Sequence, residues 1–158
     1  MKMNHNEYLA DRLREILLSG KWVTGTNFKE QIDDLIWTEA NQKVENFNSI
    51  SSITFHINYY LSGVMDVFEG GDLTIRDQYS FDAPEIKSEQ EWKVRKEKLF
   101  KDSEDFIHLV ANMESKRFMD IFVKEEYGSY LRTVDVLIEH AYYHLGQIIL
   151  IKKKIREE

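Results

Sequence analysis

The sequence predicts an all-α fold, a four-helix bundle, on three observations. Apolar residues recur at helical spacing in four long segments. One proline and seven glycines leave little punctuation for a fold of many short strands. A chain of 158 residues can bury one sizeable core but not two comfortable ones, so a single domain over 1–158 is expected.

The elements follow in order. Residues 5–19 place Tyr8, Leu9, Arg12, Leu13, Ile16 and Leu17 at helical spacing, and Gly20 follows as a stop. Residues 27–43 read as one broken helix or two short ones: Phe28, Ile32, Leu35 and Ile36 keep the period, and Thr38-Glu39 can restart a turn. Residues 49–69 form a second long helix with Ile50, Ile53, Ile57, Tyr60, Leu61, Val64 and Phe68 as its apolar stripe, ended by Gly70-Gly71. Residues 70–87 carry no period and hold the one proline, Pro84. They read either as a strap over the bundle end or as a functional loop. Ser88 and Glu91 form a capping box that opens a third helix over 89–115, with Trp92, Leu99, Phe106, Val110 and Met113 along one seam. Residues 117–132 suit a short hairpin or an irregular turn. Thr133 reads as the N-cap of a fourth helix over 134–155, with Asp135 in its first turn.

Composition narrows the function. The formal net charge of -7 and the lack of a basic stripe argue against a nucleic-acid partner. The terminal run Lys152-Lys153-Lys154 suits a helix C-terminus. With no cysteine there is no disulfide, thiolate ligand or cysteine nucleophile, so a metal would have to be held by His, Asp or Glu. The longest apolar runs fall well short of the roughly 18 residues a membrane helix needs, and no signal peptide is recognised. A cytoplasmic protein is the expectation. No nucleophile elbow, phosphate loop or paired-carboxylate motif is present.

The five histidines are not equivalent. His5 lies near a terminus and His108 on the charged face of its helix, which makes both surface side chains. His140 and His144 stand four apart, one above the other, on an apolar face with Leu137 and Ile148. His56 lies on the core stripe between Ile53 and Tyr60. A buried ring without partners costs about 1–3 kcal/mol. Any one of these rings alone would be an ordinary hydrogen-bonded core histidine. Three together could be satisfied by one divalent ion, and three ligands would leave a position open, as in catalytic sites. Imidazole nitrogens do not choose between zinc, nickel and similar ions. Glu139 points roughly 100° away from His140 and reads not as a ligand but as a surface group or as a support behind the ligands.

The run His140-Ala-Tyr-Tyr-His144-Leu-Gly146-Gln147-Ile148 resembles the closing helix of the DinB-like superfamily, which includes the YfiT-like proteins and the bacillithiol and mycothiol S-transferases. Asn48-Ser49-Ile50 through His56-Ile57, Trp22-Val-Thr-Gly25 and Arg132-Thr133-Val134 resemble the family's other signatures in order and spacing, from about residue 6 to 156. The resemblance implies an up-down-down-up four-helix bundle, a divalent metal, zinc or nickel, on His56, His140 and His144, and a homodimer in many members. It implies a metal-dependent thiol S-transferase that activates a low-molecular-weight thiol such as bacillithiol for attack on a small electrophile. A metal-dependent hydrolase and a non-catalytic metal-stabilised bundle are the alternatives. Tyr59, Tyr60, Tyr142 and Tyr143 flank the ligands and read as packing or as substrate-orienting groups. Trp22 and residues 70–87 are expected over the site's mouth. Gly146 is expected at a close helix approach, or as a small core residue.

Overall fold

Six α-helices carry the chain in the computed structural model, which describes residues 4–157; the ends of the expected domain lie outside them. They are α1 (His5–Arg14), α2 (Phe28–Asp33), α3 (Trp37–Asn41), α4 (Ile50–Phe68), α5 (Glu89–Asn112) and α6 (Tyr130–Glu157). Among the described residues no β-strand forms, and only an isolated antiparallel bridge joins Ile121 to Ser129. No helix there is long and apolar enough to cross a membrane.

The caps explain where the helices begin. Asn4, Asn27, Ser49 and Ser88 each accept a backbone N–H of the first turn of α1, α2, α4 and α5. The expected capping box at Ser88 is half right: Glu91 reaches back to the Lys87 N–H, one residue before the cap. The segment after α1 continues as a π-turn over Glu15–Ser19, so the first helical run spans the expected 5–19 with a wider last turn. Residues 27–43 resolve into two short helices, with the break at Asp34–Ile36. Gly70 ends α4 at φ 97°, a conformation open to glycine at little cost.

Two expectations fail near α6. The helix begins at Tyr130, three residues before Thr133. Ser129 caps it, accepting the Arg132 N–H at 3.2 Å, while the Thr133 hydroxyl donates back to the Ser129 carbonyl at 3.1 Å. Asp135 therefore lies in the second turn and pairs with Arg12 of α1. The ambiguous segment before α6 is an irregular turn built from two short 3₁₀ pieces, Ser115–Met119 and Glu125–Tyr127.

Four long helical runs share the core. α5 packs against both α1 and α4, and α4 packs against α6. The α5 seam is buried as its period requires, with Trp92, Leu99, Phe106 and Val110 fully enclosed. The Trp92 indole donates to the Leu35 carbonyl at 2.8 Å, tying the short helices to α5. This packing holds α4 and α6 side by side, which sets the distance between His56 and the final pair.

Candidate metal centre

α4 and α6 bring His56, His140 and His144 together, with ligand atoms all within 4.8 Å of one another. His56 Nε2 lies 3.0 Å from His140 Nε2, and His144 Nε2 lies 2.9 Å from the same atom. His56 and His144 are buried and His140 is half-buried. His5 and His108 are exposed, as the sequence predicts, and so is Glu139, which pairs with Arg132.

The rings are oriented by partners on their far nitrogens. His56 Nδ1 lies 3.1 Å from the Ser80 carbonyl, and His144 Nδ1 lies 2.7 Å from Gln147 Oε1. Both partners are oxygen acceptors, so each Nδ1 must carry the proton and donate it. Each Nε2 then presents a bare lone pair toward the centre. Among the described residues the three Nε2 atoms find no hydrogen-bond partner but one another. One proton on His140 Nε2 cannot fully serve two lone pairs, whereas one cation is shared by all three rings.

This donor set fits a divalent ion. Tetrahedral bonds of about 2.0–2.1 Å put neighbouring nitrogens about 3.3 Å apart; the two pairs through His140, at 3.0 and 2.9 Å, need to spread by tenths of an ångström, and His56 and His144 lie within 4.8 Å of each other. Burial pushes His56 and His140 down to about 4, and the neighbouring imidazoles add to the shift. Burial lowers His144 as well, against the Gln147 hydrogen bond. The rings are therefore neutral at pH 7, the state that ligates.

The connection after α4 closes over the centre, as the strap expectation required. Phe81 stacks on His56 with ring centroids 3.9 Å apart and planes 9° from parallel. Tyr60 meets His56 and His140 edge-on, at 5.1 and 5.3 Å, and its hydroxyl donates to Asp77 at 2.8 Å. Tyr59 anchors the same strap by bonding both the N–H and the carbonyl of Arg76. Trp22, by contrast, is 92% exposed and covers nothing. Tyr143 is exposed on the outer side of α6, edge-on to His144.

Gly146 does not sit at a close approach. It is exposed, and a Cβ added there would meet nothing within 4 Å. The glycine that makes room is Gly63 of α4, where a Cβ would fall 2.4 Å from the Ile75 side chain of the strap. Sequence reasoning also missed Ser80, Phe81 and Asp77. A carbonyl acceptor carries no side-chain signature, but Gln147, three residues after His144, was legible as a neighbour on the same helical face.

No protein-family model matches the chain, and no curated protein or solved structure matches it.

Proposed function

We propose that this chain is a divalent-metal enzyme of DinB-like type, an up-down-down-up four-helix bundle that transfers a low-molecular-weight thiol to a small organic electrophile. The observation that carries the reading is the convergence of three neutral imidazoles, two of them locked with Nε2 lone pairs facing inward. When bound, the ion supplies a Lewis acid that keeps a coordinated thiol deprotonated at neutral pH.

The chain's own residues do the rest. Ser80 and Gln147 hold the ligand rings in one tautomer and one orientation. Phe81 and Tyr60 wall the centre with aromatic surface and limit water around the sulfur. The sulfur lone pair forms a C–S bond to the electrophile, the bond to the leaving group breaks, and that group departs with its electron pair. The thiol proton passes to solvent.

Thiol chemistry is favoured over water chemistry by the lack of a carboxylate within the ligand group among the described residues. Asp77 is engaged by the Tyr60 hydroxyl. A water nucleophile benefits from a neighbouring carboxylate, whereas a thiolate requires none. The test is conjugation of bacillithiol, cysteine or coenzyme A to monobromobimane by zinc- or nickel-loaded protein, corrected for the spontaneous reaction. Metal-dependent conjugation that His56→Ala abolishes is expected. Fully loaded protein that accelerates none of these reactions would overturn the proposal.

A further inference from the structure

His140 is the half-buried member of the triad, and it forms one end of a groove between α4 and α6. A chamber of about 270 Å³ is lined by His140, Tyr60, Val64, Thr133, Val136 and Leu137. A second of about 540 Å³ shares Tyr60, Val64, Thr133 and Val136 with it and continues to the turn at Glu125–Gly128. Because the same side chains line both, they are one continuous groove that starts at a ligand ring. Together they suit a drug-sized ligand.

The walls are apolar: Val64, Leu73, Ile75, Phe122 and Val136. The far rim is acidic. Among the described residues Glu125 has no cation within 4 Å, Glu126 is paired with Lys124, and the lining cation, Arg132, is held by Glu139 of its own helix; Asp77, also without a cation partner among them, adds a carboxylate nearer the histidines, where it accepts the Tyr60 hydroxyl. An anionic end group would find no free positive charge there, while an ammonium or an uncharged group would be accepted.

The groove wall also holds backbone strain. Val123 has φ 61°, and Lys124 N donates to Phe122 O at 2.6 Å, a three-residue turn with a β-branched residue at its left-handed centre. Such a conformation is strained for a β-branched residue, and residues of this kind cluster at ligand sites. Here it sets the line of Phe122 and Glu125 along the groove.

We infer that this groove is the electrophile site, and that the electrophile is a largely apolar molecule whose far end is neutral or cationic. The inference rests on the proposed transferase reading for the word electrophile, but the groove's selectivity can be measured without turnover. The zinc-loaded full chain is titrated with 1-naphthalenemethanol, 1-naphthylmethylammonium and 1-naphthoate, following naphthyl fluorescence. The alcohol and the ammonium should bind about tenfold or more tighter than the carboxylate. Val136→Trp should weaken the alcohol by about tenfold while metal content and melting temperature stay the same, and Glu125→Lys should reverse the ranking of ammonium and carboxylate. Carboxylate binding equal to the alcohol's, or alcohol binding indifferent to Val136→Trp, overturns the inference. Charge-ordered binding without any thiol conjugation would remove the transferase reading and leave the groove. Conjugation of a naphthyl electrophile that Val136→Trp leaves untouched would do the reverse.

Discussion

Two long connections flank α5 and meet on the same groove, yet the balance of what holds them differs. The first, between α4 and α5, is held from outside. Gly63 clears space for Ile75, Tyr59 and Tyr60 bond Arg76 and Asp77, and Asn41 donates to the Ile86 carbonyl. The second, between α5 and α6, buries Phe118 and Phe122 in the core and adds to that packing a set of bonds within its own backbone. Phe122 N donates to Gly128 O at 2.8 Å and Tyr130 N to Asp120 O at 3.1 Å, around the strained Val123. A segment fixed by its surroundings moves when a neighbour changes. A segment that also bonds within itself answers more to its own residues.

The largest effect tests the site that the first connection covers. His56→Ala should take tightly held zinc or nickel from about one ion per chain to none, read by elemental analysis of untagged protein. An unchanged stoichiometry would detach α4 from the centre. Gln147→Ala removes the acceptor for His144 Nδ1 and should lower metal affinity about 10–100-fold, measured by chelator competition. An affinity within twofold of the parent would mean that Gln147 does not fix the tautomer.

Gly63→Ala tests the outside support directly. The added methyl collides with Ile75, and overpacking of this kind costs about 1–3 kcal/mol by denaturant unfolding. Metal affinity should fall with it, because Ser80 and Phe81 ride on the same strap. Loss of stability with full metal affinity would separate the strap's anchor from its tip. Val123→Gly, the matching change in the second connection, should leave stability the same or raise it by up to about 1 kcal/mol, since relieved strain outweighs the extra freedom of an unfolded glycine. A clear destabilisation would show that the side chain, not the backbone, holds that turn.

Acid sensitivity gives a further measurement on metal-free protein. Burial holds His56 and His140 near 4, below the ordinary 6.5, so in that window the unfolded chain binds more protons than the folded one. Their contribution to stability is complete above pH 6.5 and is lost as pH falls toward 4. Replacing all three rings by alanine should flatten this part of the profile. A profile equally steep in the variant would assign acid sensitivity to other groups.

Much of the helical scaffold was legible in the sequence because apolar periodicity reports burial directly. The stripes of α4 and α6 located the three rings on inward faces, and the structure brings those rings together. What stayed hidden has physical reasons. Ser129 and Thr133 both suit a cap, and four residues of spacing let one bond to the other, so residue type alone puts the start of α6 too late. Gly146 and Gly63 are identical as letters, and only the position of the strap tells which one needs to lack a side chain. The Ser80 carbonyl is a backbone atom present in every residue type, so nothing in the sequence marks it as the partner of His56.

The inward lone pairs of His56 and His144 carry one more consequence. Both imidazoles keep their single proton on the side away from the centre, and His140 can move its own proton to its outer nitrogen without losing it. Uptake of a divalent ion near neutrality therefore releases no hydrogen ions from the ligands. Any dependence of the calorimetric heat of loading on the buffer's ionisation enthalpy should therefore come from a water at the open coordination position and fade as pH is lowered toward about 6, whereas a cysteine-built centre expels acid from its ligands as it fills.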